Sequence, residues 1–281
     1  MSSIPDKNEI LAAVKSSGYL MEQEIATLFE KMGYNVSTNR AFKDIHESKS
    51  REIDVSVIKQ LYYNQKLNFS FYVEYICECK NNQSSIVFIT RKKNEYDNLI
   101  QKNEFLFPIK YHEQLQIEGQ NAGTSEKSMF HYLGIDKIHY YYKNQNKAVQ
   151  FCKIVKDKNS WKANHDGIYD AMLLPIIKAL ISRKENAKQI KSVWFFFPLI
   201  ITTGNLYVID SMLDNSEPEL VNYVSFKREI KEDKIQGNFI VDFVQKEYLL
   251  DFVQHEVEPL FKPILDICEN DAEFFLKGLL K

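Results

Sequence analysis

Glu78 and Lys80 stand two residues apart near the end of segment 71–80, FYVEYICECK. The segment is rich in aromatic and β-branched residues, holds no Gly or Pro, and runs into the polar stretch 81–85. It therefore predicts a β-strand. Side chains alternate across a strand, so Phe71, Val73, Tyr75, Cys77 and Cys79 are expected on one face. Tyr72, Glu74, Ile76, Glu78 and Lys80 are expected on the other. A carboxylate beside an ammonium at a strand end suits a metal ligand next to a cation that holds or activates a water. It equally suits a surface ion pair, the commoner use of a Glu-x-Lys spacing.

Two further carboxylates have spacings that can bring them to this pair. In segment 51–61, REIDVSVIKQL, Ile53, Val55 and Val57 are expected on one face and Glu52, Asp54 and Ser56 on the other. Turn residues between 64 and 68 predict a hairpin joining the two strands. Asp54, near the start of one strand, then sits across from Glu78, near the end of the other. Glu22 lies on a predicted helix over 19–34, in which Met21, Ile25, Leu28, Phe29 and Met32 form an apolar stripe and Gly33 a stop. Glu22 falls at the edge of that stripe, whereas Glu24 and Glu30 fall on the solvent side. A shorter helix over 6–15 ends near Gly18, and a strand over 35–42 follows the second helix.

A length of 281 residues admits one large α/β domain or two smaller ones. Hydrophobic residues at 44% and charged residues at 26% give an ordinary globular balance. Lysine and arginine (36) nearly cancel aspartate and glutamate (38), for a net charge of −2. This argues against a protein that coats nucleic acid through its overall charge; any such role must rest on a local patch. Cys77, Cys79, Cys152 and Cys268 are too scattered for a disulfide framework, and C-x-C is not the C-x-x-C spacing of a structural zinc site. The histidines show no metal-ligand spacing. The N-terminal residues lack a signal-peptide pattern, and the apolar run 194–201 is too short to span a bilayer. A soluble, cytoplasmic protein with no membrane partner is expected.

The remaining chain is less informative. An apolar run over 86–90 is followed by a predicted helix over 91–107 carrying Arg91, Lys92, Lys93 and Lys102. Lys92 and Lys93 are weak candidates for nucleic-acid contact, with a solvated helix face as the plainer reading. Segment 111–150 has no clear period; Tyr140–Tyr142 suit either base stacking or a strand with one buried face. A helix over 166–184 is expected to kink or break at Pro175. Segments 192–202 and 206–211 predict a hairpin around Thr203-Gly204-Asn205. Strands over 223–229 and 239–244 precede helical structure from 246 onward, broken at Pro259 and Pro263. Trp161 and Trp194 are expected in the core.

In order and spacing, Glu22 on a helix, Asp54 on a strand and Glu78-Cys79-Lys80 on the next strand resemble the PD-(D/E)XK, or restriction-endonuclease-like, nuclease superfamily. Met21-Glu22 followed by Ile25, Leu28-Phe29 and Gly33-Tyr34 is similar to the first helix of type IV restriction-endonuclease-like prokaryotic nucleases. Glu52-Ile53-Asp54-Val55 and Cys77-Glu78-Cys79-Lys80 resemble the other two motif segments, and Ile53 stands where a proline often precedes the aspartate. The resemblance covers roughly the first ninety residues. It implies an α/β fold: a restriction-endonuclease-like core with a central mixed β-sheet flanked by helices, plus C-terminal β-hairpins and helices. The chain is then one nuclease-like domain over 1–281, with its motif-bearing core at 18–107 and elaborations at 108–281.

The same resemblance implies a Mg²⁺- or Mn²⁺-dependent phosphodiesterase, a deoxyribonuclease serving restriction or defence. Asp54, Glu78 and the backbone carbonyl of Cys79 would be inner-shell metal ligands. Lys80 would position the attacking water and offset charge on the phosphate, and Glu22 would reach the metal directly or through a water. DNA is the expected partner, and the reading leaves room for a homodimer. The alternative from another class is a catalytically inactive nucleic-acid- or protein-binding module on the same fold. A third reading is an unrelated α/β protein in which the motif is coincidental.

Overall fold

A computed structural model describes residues 4–45, 49–81, 84–98, 104–115, 123–188 and 191–277. Two helices, α1 (Lys7–Ser17) and α2 (Tyr19–Lys31), lead into strands β1 (Asn35–Lys43), β2 (Ser50–Asn64) and β3 (Phe69–Lys80). Strands β4 (Ile86–Lys92), β5 (Phe105–Leu106), β6 (Tyr111–Leu115) and β7 (Gly123–Lys127) follow. The helical turns α3 (Met129–Tyr132), α4 (Ile135–Ile138) and α5 (Tyr140–Lys143) come next. The second half holds β8 (Asn146–Asp157), β9 (Ser160–Asn164), α6 (Leu174–Ala187), β10 (Ser192–Thr202) and β11 (Leu206–Asp210). It continues through β12 (Glu219–Val221), β13 (Tyr223–Glu232) and β14 (Ile235–Gln245) to α7 (Leu249–Asp251) and α8 (Lys262–Asp271).

Among the described residues twelve strands form one mixed sheet, ordered β1-β2-β3-β10-β14-β13-β8-β4-β11-β12, with β5 on β10 and β9 on β8. Helices cover both of its faces, so the protein is α/β with a large mixed sheet. The alternation expected along β3 divides its side chains between two cores. Phe71, Val73, Tyr75 and Cys77 join Met21, Ile25 and Phe29 of α2 and the C-terminal Phe252 and Phe261. Ile76 instead joins Ile176, Ile177 and Leu180 of α6, with Phe196 and Ile200 of β10. Phe29 is fully buried, and its replacement by Ala would cost about 3–5 kcal/mol. No described helix is long and apolar enough to cross a membrane.

The β2–β3 hairpin forms as expected, antiparallel from Val55↔Cys77 onward. Its turn uses Asn68 at φ 47°, a left-handed conformation that Asn tolerates. The expected hairpin around Thr203-Gly204-Asn205 does not form. β10 pairs in parallel with β3 along its length and with β14 from Leu199, while β11 pairs with β4. Every residue of β10 is buried, so both faces are apolar and the sequence carries no alternation to reveal a central strand. Pro198 is tolerated there because β5 meets β10 only at Trp194 and Phe195 and β14 only from Leu199, leaving a gap at the proline.

Other expectations are also revised. The helix expected over 91–107 is instead the end of β4, a short 3₁₀ turn at Glu95–Asn98 and β5, with Lys102 outside the described residues. Tyr140–Tyr142 form a buried helical turn rather than a strand, so their rings are not available to stack on bases. Pro175 does not kink α6; it lies in the first turn, where a missing N–H costs little, after a π-helical turn at Tyr169–Leu173. Trp194 is buried, but Trp161 is 69% exposed.

Candidate active site

The motif residues meet where β2 begins and β3 ends. The Val55↔Cys77 pair closes the recorded ladder, and one step further in the same register lie Asp54 and Glu78. At that point the alternation of β2 breaks. Val55 and Val57 sit in the core under α2, but Ile53, two residues before Val55, sits in the opposite core with Phe42 and Ile76. The expectation that Ile53, Val55 and Val57 share a face is therefore overturned. The irregularity falls on Asp54, whose Oδ2 accepts a hydrogen bond of 2.7 Å from the Cys79 backbone N–H. That bond ties the start of β2 to the end of β3 just where the ladder stops.

Lys80 Nζ donates to Glu78 Oε1 at 2.5 Å, both side chains being partly exposed. Glu22 arrives from the first turn of α2, where the helix dipole favours a carboxylate. Gly18 sets that approach: its φ of 91° makes it the C-cap of α1 and the N-cap of α2. A Cβ placed on it would stand 3.6 Å from Asn81 Cβ, so the bend is seated against the residue that follows Lys80. Asn81 also donates to Lys15 O and accepts from Thr203 Oγ1 at 3.2 Å, fastening α1 and the turn after β10 to the end of β3.

The electrostatics bind the group together. Burial pushes the Glu22 carboxyl up, and the charges of Asp54, Glu78 and Glu52 push it further, with Lys80 opposing. Asp54 is also raised by burial, against the Cys79 N–H and Lys80. Glu78 is raised by burial and by Asp54, again with Lys80 opposing. Three carboxylates thus sense one another while sharing the Lys80 ammonium. Burial holds the Cys77 and Cys79 thiols up as well, which disfavours thiolate ligation.

No group of three or more His, Cys, Asp or Glu side chains among the described residues stands ready to hold a metal. The hydrogen bonds give a physical reason: Asp54 Oδ2 is engaged by the Cys79 amide and Glu78 Oε1 by Lys80. In kind, the donors are hard carboxylate oxygens of the sort Mg²⁺ prefers.

Lys92 and Lys93 do not join the site. Lys92 is exposed, six residues beyond Ile86 or about 20 Å along β4. Lys93 Nζ donates to the backbone oxygens of Tyr141 and, at 2.7 Å, Asn144, and lies 3.9 Å from the Tyr141 ring centre. Burial pushes its pKa down to about 8. It is a structural clamp on the α5 turn, not a lysine held ready for phosphate.

Two features near or beyond the site had no sequence signal. Lys153 of β8 comes within the field of Lys80, whose charge adds to burial in lowering its pKa. A separate polar group is buried between β13, β14 and α5. Asp242 accepts from Tyr140 Oη at 2.6 Å and Ser225 Oγ at 2.5 Å, and burial pushes it up to about 7. Both depend on long-range pairings that no local pattern reports. Comparison of the chain with family models, with curated proteins and with solved structures finds no match in any of the three.

Proposed function

We propose that this chain is a metal-dependent nuclease that hydrolyses phosphodiester bonds in DNA, of the restriction-endonuclease-like kind, serving restriction or defence. The observation that carries the reading is the crowding of Glu22, Asp54 and Glu78 around the ammonium of Lys80 at the strand ends. Such an excess of negative charge is relieved by a cation. Mg²⁺ keeps several waters and is commonly held by one or two carboxylates plus substrate phosphate, so a cage of three protein donors is not required.

Asp54 and Glu78 would hold the ion, with the Cys79 carbonyl beside them and Glu22 acting through a water. Mg²⁺ or Mn²⁺ would supply Lewis acidity and lower the pKa of a bound water. The chain's own contributions are more specific. The Cys79 N–H fixes the Asp54 carboxylate in orientation. Lys80, now paired with Glu78, would turn to the phosphate as charge develops there, while Glu78 turns to the metal.

The Glu78–Lys80 pair also supports a second reading, a catalytically silent nucleic-acid- or protein-binding module in which the two charges simply match. A cleavage panel of plasmid, linear and single-stranded DNA with Mg²⁺, Mn²⁺, Ca²⁺ or EDTA separates them. Cleavage with Mg²⁺ or Mn²⁺, lost in Lys80→Ala, supports the nuclease. Cleavage in EDTA, or full activity of Lys80→Ala, removes this mechanism.

A further inference from the structure

Strands β8 and β9 form a hairpin that projects from the sheet, and every residue from Lys156 through Asp166 is exposed. Segment 153–164, KIVKDKNSWKAN, carries Lys153, Lys156, Lys158 and Lys162 against one aspartate, Asp157, in a chain whose net charge is −2; Lys162 pairs with that aspartate at the exposed surface, where a phosphate can replace it. This is the local basic patch that the overall charge does not provide.

Its base lies beside the candidate site. Ile154 N donates to Ser85 O at 2.9 Å, and Lys153 pairs with Ile86, both partners belonging to the segment that directly follows Lys80. From Lys153 to Asp157 the strand extends about 13 Å. Cross-strand register puts Lys156 opposite Trp161, so the two share a face, and Lys156 Nζ is 6.0 Å from the indole ring centre. Lys158 occupies the turn at φ 52°, a conformation for which Asn or Gly is the ordinary choice; Asn39 within β1 and Asn68 in the β2–β3 turn follow that rule.

Lysines on an edge strand are ordinarily explained as a guard against edge-to-edge pairing. That account does not explain a large exposed aromatic on the same edge. A flat aromatic ring flanked by ammonium groups is the combination that grips unpaired nucleotides, whose bases are free to stack. Bases within a duplex are already stacked on their neighbours.

We propose that the β8–β9 hairpin is an arm that grips single-stranded nucleic acid beside the candidate site, with a base on Trp161 and phosphates on Lys156, Lys158 and Lys162. The identity of the partner rests on the nuclease reading; the test does not require cleavage. The full chain is titrated in EDTA with a fluorescein-labelled single-stranded oligonucleotide and with its duplex, reading anisotropy and tryptophan emission. Trp161 and the buried Trp194 are the protein's two tryptophans, so quenching by the oligonucleotide is read from Trp161. Trp161→Ala is expected to weaken single-strand binding about tenfold, within the range for one stacked base. Joint replacement of Lys156, Lys158 and Lys162 by Ala is expected to flatten the salt dependence by about two units.

Unchanged binding in both variants, or emission indifferent to the oligonucleotide, would overturn the arm. So would a duplex bound as tightly as the single strand with the same dependence on Trp161. Binding through Trp161 by a protein that leaves DNA intact in Mg²⁺ would keep the arm and remove the nuclease reading. A Trp161→Ala variant that binds and cleaves like the wild type would do the reverse.

Discussion

Glu74 and Glu78 lie four residues apart on β3, on the same side of the strand, yet their surroundings differ in kind. Glu74 is fully buried, and its Oε1 accepts from Ser56 Oγ at 3.1 Å and from Arg183 Nε at 2.6 Å. Arg183 comes from α6, a helix more than a hundred residues later, so Glu74 has a cation from a distant element dedicated to it. Among the described residues Glu78 pairs with Lys80, two residues along its own strand, and that ammonium also faces Asp54 and Glu22. A carboxylate that serves the fold is matched with its own positive partner. Carboxylates that crowd around a shared one leave charge for something else to offset.

The comparison is broken or sharpened most strongly by removing one carboxylate of each kind. Asp54→Asn and Glu78→Gln are expected to lower cleavage about a thousandfold or more, equivalent to about 4 kcal/mol of activation free energy. Their folded state should be as stable as the wild type or more so, because each removes a repelled charge. Glu74→Ala is expected to cost about 3 kcal/mol of stability, since it leaves the partly buried Arg183 without its counter-charge. Denaturant midpoints measured beside cleavage rates check this. Equal destabilisation by all three would put Glu78 in the same structural class as Glu74.

A smaller effect reads the cation directly. If Asp54 and Glu78 take a divalent ion, saturating Mg²⁺ should stabilise the wild type, by about 2.7 kcal/mol at a hundredfold excess over Kd. Asp54→Asn and Glu78→Gln should lose that gain, whereas Lys80→Ala should keep it, since an ammonium cannot ligate a metal. Thermal melts with and without Mg²⁺ decide it. An equal Mg²⁺ response in Asp54→Asn would place the ion elsewhere.

What the sequence disclosed was local. Periodicity located α2 by its one buried face, and turn and polar residues at their limits bounded the β2–β3 hairpin and the strand end bearing Glu78 and Lys80. It located the strand of β10 but not its central place, because two buried faces erase alternation, and so read a hairpin where a parallel central strand runs. It placed Asp54 by strict alternation, whereas Ile53 and Val55 on either side of that residue enter opposite cores. It assigned Trp161 to the core from residue type alone, although β9 is an edge strand with no layer above it. Arg183 and Lys153 reach their positions through long-range packing, and no spacing along the chain could have announced them.

The smallest expected effect concerns Glu22 and turns on its sign. Burial and the charges of Asp54 and Glu78 raise its folded pKa above the ordinary carboxylate value. A raised acid is disfavoured in its ionised form, so above that folded pKa it subtracts from stability. As pH falls through the folded value, the native state takes up the proton before the unfolded chain does, and the penalty disappears. Glu22→Gln removes the charge at every pH. The variant should therefore be more stable than wild type at neutral pH, by about 0.5 kcal/mol, the scale of a partly solvated charge interaction. That difference should shrink as the pH is lowered to about 3, where the carboxyl is neutral in both states. Adding Mg²⁺ should reverse the ordering at neutral pH, because the ion offsets the repulsion in the wild type and gains from the Glu22 carboxylate. Denaturation of the two proteins across this pH range, with and without Mg²⁺, reads all three changes. A gap that widens on acidification would mean that Glu22 is held by a positive partner, as Glu74 is, and does not belong with Asp54 and Glu78.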